Sequence, residues 1–161
     1  MITLEEELEH VRHYLIIQKI RYKSKFNYEM DIQDEALTCI TLKLIIQPIV
    51  ENAIYHGIEL MPDEGSIRIS VRVEGEKVII SVTDNGLGMT PQVMEKLLRG
   101  GVKSSGGSGV GVKNVHERIQ LYYGKAYGLT FMSEVEEGTT VTITLPMLIK
   151  ELDPVEGEGM L

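Results

Sequence analysis

Three short segments of this 161-residue chain hold side chains and glycines suited to gripping a ligand. In Asp84-Asn85-Gly86-Leu87-Gly88-Met89, an apolar run ends on a carboxylate followed closely by two glycines. A carboxylate accepts hydrogen bonds from an amine, and glycines let backbone lie close to a flat ring. That combination suits adenine, whose exocyclic amine Asp84 would accept; guanine carries a carbonyl at that position. Taken alone, the segment reads equally well as an Asn-Gly turn. In Gln47 to Gly57, Asn52 and His56 stand four apart and share one side of a helix, at the edge of its apolar stripe. An Asn carbonyl oxygen suits Mg²⁺, a hard ion that keeps waters and shares nucleotide phosphates. The plainer role of Asn52 is a helix-end hydrogen bond, and that of His56 a C-terminal cap before Gly57. The third segment, Gly106 to Val112, feeds a predicted helix whose free amides and dipole favour anions.

That third segment belongs to neither of two familiar phosphate loops. Gly111 is followed by Val112 rather than Lys-Ser or Lys-Thr, so it is no Walker A loop. Gly109-Val110-Gly111-Val112-Lys113-Asn114 lacks the third glycine of a dinucleotide fingerprint and follows a loop. Gly109, Gly111 and Val112 are expected to offer backbone, and Lys103 and Lys113 to neutralise phosphate charge. Thr90 to Ser108, rich in glycine and serine towards its end, is expected to form a mobile lid.

The elements that must position these residues alternate along the chain. Apolar residues at helical spacing predict helices from residue 3 to about 24, capped by Thr3, from Leu42 to about Tyr55, and from Val112 to Tyr123, closed by Gly124. Pro48 means that the second helix starts late or bends. Strands are predicted at Phe26–Ile32, Ile67–Val73, Val78–Thr83, Leu129–Ser133 and Thr140–Leu145, with a short helical patch at Gln92–Leu98. The expected architecture is a two-layer α+β sandwich, with helices on one face of a mixed, mostly antiparallel sheet. Residues 1–24 form an N-terminal helix, 25–148 the main domain, and 149–161 an acidic tail expected to be disordered.

Composition narrows the function. A net charge of −8 argues against a nucleic-acid surface, and the single cysteine, Cys39, points to a reducing compartment such as the cytoplasm. No apolar run approaches the roughly 20 residues needed to cross a bilayer, and the acidic, amphipathic start of the chain is unlike a signal peptide.

Asn52, Asp84 and the Gly106–Val112 glycines resemble, in order and spacing, the three nucleotide-binding boxes of the ATPase superfamily that includes gyrase, Hsp90, MutL and histidine kinases. Asn114 to Gly124 and Gly138-Thr139-Thr140-Val141 look like the LytS/YesM type of sensor histidine kinase. The resemblance spans about Thr3 to Pro146 and implies ATP and Mg²⁺ as cofactors. Carried over, Asn52 holds Mg²⁺, His56 lies near the phosphates, and Thr139 supports the Asp84–adenine contact. Hydrolysing members place a basic Glu one turn before the Asn; here that position is Pro48, which favours phosphotransfer over hydrolysis. Glu51 points about 100° away from Asn52; it is the remaining carboxylate able to influence transfer, its simpler role being a solvated or salt-bridged helix residue.

The resemblance also implies a phosphoacceptor His on an upstream dimerisation domain, a homodimeric, membrane-anchored parent protein, and a response regulator as partner. His10, His13 and His116 do not match an acceptor motif, so this chain is expected to be a catalytic domain excised from a longer protein. Two alternatives are a serine kinase of the same superfamily, of the anti-sigma factor type, and a nucleotide-binding regulatory module without transfer.

Overall fold

The first helix, α1 (Leu4–Arg21), opens on a reciprocal cap. The Thr3 hydroxyl accepts the Glu6 N–H, and the Glu6 carboxylate accepts the Thr3 N–H. Leu4, Leu8, Val11 and Leu15 turn into the core at no more than 2% exposure. The helix stops at Arg21, earlier than the sequence suggests, and Lys23 takes a left-handed backbone (φ 52°) that turns the chain. The computed structural model describes residues 1–23, 25–58, 61–99 and 109–149.

The sheet has five strands: β2 (Phe26–Ile32), β4 (Gly65–Glu74), β5 (Lys77–Asp84), β6 (Gly128–Glu134) and β7 (Gly138–Pro146). Their order is β2-β4-β5-β7-β6, with β2 and β4 parallel and every other pair antiparallel. Two short strands, β1 (Ile2–Thr3) and β3 (Ile40–Thr41), pair separately and tie the start of the chain to the segment after β2. Period-2 alternation sends Ile67, Ile69 and Val71, Val78, Ile80 and Val82, and Val141, Ile143 and Leu145 to one buried face. The opposite face carries Arg68, Arg72 and Asp31, which pair with one another at its surface. The helices thus cover one face of a mixed sheet, the α+β sandwich the patterning predicts.

The second helix differs most from expectation. Its α-helical part, α2, runs only from Gln47 to Asn52 and continues as a π-helical turn over Ala53–Ile58. Pro48 sits in its first turn, where a missing N–H costs nothing. Residues 42–46 are not helical: Leu44 is left-handed (φ 55°), and two helices hold the turn from outside. The buried Glu7 carboxylate of α1 accepts the N–H groups of Leu44 (2.9 Å) and Ile45 (3.3 Å). The Arg118 guanidinium donates to the carbonyls of Lys43 (2.7 Å) and Leu44 (3.3 Å).

Two further helices follow, α3 (Pro91–Arg99) and α4 (Gly109–Tyr123). Gly124 closes α4 at φ 103°, its N–H bonded to the Gln120 carbonyl. The expected lid overlaps α3, and its remainder, 100–108, lies outside the described residues, as do Lys103 and residues 150–161 of the tail. Ile149 still pairs with Cys39. Among the described residues, no helix is long and apolar enough to cross a membrane.

Candidate nucleotide site

The buried face of the sheet changes character at one end. The registers Ile67↔Asp84, Asp84↔Thr139 and Thr139↔Ser133 line up three polar residues where the apolar columns stop. Asp84 and Thr139 are each 6% exposed, so hydroxyl and carboxylate face inward rather than to bulk water. Here an open cavity of about 450 Å³ is lined by Asp84, Thr139, Ser133, Phe131 and Met94, among others. Burial pushes the Asp84 carboxyl up to about 6, against the opposing pull of backbone hydrogen bonds from Gly86 (2.8 Å) and Thr139.

The glycines around Asp84 are explained by close approach of neighbouring protein atoms, the Asp84 side chain at Gly57 and backbone at Gly86 and Gly88. A Cβ on Gly57 would lie 2.7 Å from Asp84 Oδ1, and one on Gly86 would lie 2.2 Å from Gly57 Cα. Gly88 is left-handed (φ 70°), and its Cβ would meet the Glu134 carbonyl at 1.9 Å. Room beside a ring was the sequence-based expectation for Gly86 and Gly88; the structure fills the space at both Cα atoms with neighbouring chain. Their contribution is to press the Asp84–Met89 loop between the π-helical turn and the β6–β7 hairpin. The Glu136 N–H donates to the Leu87 carbonyl (2.6 Å) and the Met89 N–H to Ser133 Oγ (2.7 Å), which pins that loop.

The segment 47–58 runs past the other candidates. A Cβ on Gly111, near the start of α4, would lie 3.3 Å from Pro48 Cβ, so this glycine brings α4 against the beginning of α2. Gly57, at the far end, touches Asp84. Asn52 lies between them, 8% exposed. Pro48 and Asn52 are about 6 Å apart along α2 at 1.5 Å per residue, and the π-helical turn carries the chain on to Gly57. A ligand with a base at one end and anionic groups at the other matches that layout.

Val112, Lys113 and Glu51 each have protein surroundings of their own. Because α4 begins at Gly109 rather than Val112, the amides free of intrahelical partners belong to its first residues, up to Gly111. Val112 instead puts its side chain in the core at 1% exposure. Lys113 pairs with Glu117 on its own helix (3.6 Å), a half-exposed contact. Glu51 accepts from Gln47 Nε2 (3.1 Å), which occupies one carboxylate oxygen. His56 belongs to the π-helical turn, and its side chain lies outside the described residues. His116 Nδ1 accepts the Leu129 N–H (3.0 Å) and so holds β6 to α4; His13 faces Glu9 across one helical turn.

Ser133 and Gly57 are the residues that sequence reasoning missed. The signal for Ser133 was the strand alternation itself: Leu129, Phe131 and Ser133 occupy the inward positions, and the third is polar. Gly57 could have been found only by knowing that Asp84 lies against it.

Acceptors at the sheet end and free helix amides beside Pro48 thus stand at opposite ends of the segment 47–58. The sequence pattern of histidine kinase-, DNA gyrase B- and HSP90-like ATPases matches residues 39–149, and the chain belongs to that family. Sensor histidine kinase YesM of Bacillus subtilis (strain 168) is 40% identical over 146 residues, covering 91% of this chain and 24% of the relative. Sensor protein LytS of Bacillus anthracis is 32% identical over 155 residues, covering 96% of this chain and 26% of the relative. The chain therefore spans about a quarter of the length of these curated relatives. In fold it is similar to the catalytic domain of histidine kinase ThkA, at a TM-score of 0.68 and 19% identity, covering 90% of this chain and 95% of that one.

Proposed function

We propose that this chain binds Mg-ATP with adenine at Asp84 and Thr139 and its phosphates towards Asn52 and the start of α4. The protein it belongs to would transfer the γ-phosphoryl group to a His on an upstream helical domain, and a response regulator would then receive it. The observation that carries this reading is the buried acceptor pair at the sheet end. A carboxylate oxygen suits an exocyclic amine and not a carbonyl, and the Thr139 hydroxyl beside it can accept from the same amine.

The residues present fit Mg²⁺ as a partner of the nucleotide. No group of three ionisable or thiol side chains able to hold a metal occurs among the described residues. An ion here would take one amide oxygen from Asn52 and its remaining ligands from phosphates and water, the habit of Mg²⁺. When bound, it would neutralise charge on the phosphates. The protein's own part is to fix the base, orient the chain of phosphates along α2 and offer the first α4 amides, so that catalysis rests on positioning.

Pro48 supports transfer over hydrolysis. It stands where hydrolysing relatives carry a base, and it packs beside Gly111. The parent protein is proposed to be a membrane-anchored homodimer with this domain on the cytoplasmic side. Incubation with γ-labelled ATP tests the reading. The isolated chain should bind ATP, release phosphate slowly and take up no stable label. The longer protein with its upstream helical region should become labelled on His, and Asn52→Ala should abolish that. Rapid phosphate release by the isolated chain would point to an ATPase instead.

A further inference from the structure

We infer that Ser133 is a positioning residue that sets the direction of the Thr139 hydroxyl proton and thereby sharpens discrimination between a 6-amino and a 6-oxo purine. The inference rests on the adenine site proposed above and deepens it. Ser133 Oγ has three polar neighbours: the Met89 N–H at 2.7 Å, the Gly138 carbonyl at 2.9 Å and Thr139 Oγ1 at 2.8 Å. The amide can only donate and the carbonyl can only accept. A serine hydroxyl has one proton. When that proton satisfies the Gly138 carbonyl, Ser133 Oγ has only lone pairs to offer Thr139.

The Thr139 hydroxyl must then donate to Ser133. Its own lone pairs remain for the cavity that both residues line. Beside it, Asp84 offers a carboxylate whose Oδ1 accepts the Gly86 N–H. Between them, the Asp84 carboxylate and the Thr139 oxygen thus present acceptors only. An exocyclic amine meets a partner there, whereas a carbonyl oxygen at the same position meets lone pairs. The chain of constraints starts in the loop after Asp84, through the Met89 amide, so the loop that carries Asp84 also orients the hydroxyl beside it.

Removing the serine hydroxyl frees the Thr139 proton to rotate into the cavity, where it can serve a carbonyl. The experiment is a calorimetric titration of the full chain and of Ser133→Ala with Mg-ATP, Mg-ITP and the purine riboside triphosphate that lacks any 6-substituent. The preference for ATP over ITP should fall by about 2- to 12-fold in Ser133→Ala, the worth of one neutral hydrogen bond. Affinity for the unsubstituted purine nucleotide should stay within about twofold of wild type, and Ser133→Thr, which keeps a hydroxyl, should restore the preference. An unchanged ATP-to-ITP ratio, or an equal loss for all three nucleotides, would overturn the inference. Failure of the unmutated chain to bind ATP at all would instead overturn the adenine site. Thermal melts of each variant establish that folded protein is being titrated.

Discussion

Replacing Asp84 with Asn should weaken nucleotide binding and, at pH 8, stabilise the empty domain. The opposite signs follow from its burial. The side chain sits at the end of an apolar face, and its carboxyl is raised from 3.8 to about 6. That is roughly two pH units, or about 3 kcal/mol held against the fold when the group is ionised. Because the folded value lies above the unfolded one, this group favours folding most below about pH 4. The advantage declines as pH rises through 6 and is gone above it. Asn keeps a carbonyl oxygen for the Gly86 N–H but carries no charge. A gain of about 1–3 kcal/mol is expected at pH 8, at roughly 2–4 °C in Tm for each kcal/mol, and almost none at pH 4. Binding should move the other way. A hydrogen bond to a charged group contributes about 1.5–3 kcal/mol, so affinity for Mg-ATP should drop roughly 10- to 150-fold. Melts at both pH values and titration at pH 8 read the two effects separately. Wild-type affinity in the mutant would remove Asp84 from the base pocket, and a lower Tm at pH 8 would refute the burial argument.

Three further outcomes follow from the same geometry. Affinity of the wild-type chain for Mg-ATP should be flat above pH 6 and fall up to about tenfold per unit below it, as Asp84 loses its charged acceptor; constant affinity from pH 5 to 8 in calorimetry would contradict this. Gly86→Ala places a methyl 2.2 Å from Gly57 Cα, so it should lower Tm sharply and abolish binding, whereas Gly75→Ala meets nothing within 4 Å. The cost of Gly75→Ala should be limited to about 1–2 kcal/mol of left-handed backbone strain in a thermal melt. Glu7→Ala strands the Leu44 and Ile45 amides and should cost about 2–4 kcal/mol, with Glu7→Gln recovering part of it. Hydrogen exchange at those two amides should rise in Glu7→Ala, and unchanged protection would mean that another group holds the turn.

Much of the fold is legible because sheet and helix periods are local. Alternation in Ile67–Val73 and Val78–Thr83 marks both strands, and the Thr3 cap marks the start of α1. The segment before Pro48 reads as helix in the sequence, since its leucines and isoleucines fall at helical spacing while the groups that bend it, Glu7 and Arg118, are distant along the chain. The π-helical turn over Ala53–Ile58 has no sequence signature of its own. In the site, Asp84 and Thr139 could be singled out as types, but only strand register places them side by side. The contact between Gly57 and Gly86 is a tertiary fact; the dipeptides around them show only that something must come close.

The central claim, that the sheet end reads adenine, is tested most directly by titrating this chain with Mg-ATP and Mg-GTP in parallel. One saturable site should appear, with ATP bound at least about tenfold more tightly, since a carbonyl facing two acceptors forfeits a hydrogen bond to a charged group. Equal affinity for both nucleotides would contradict the account.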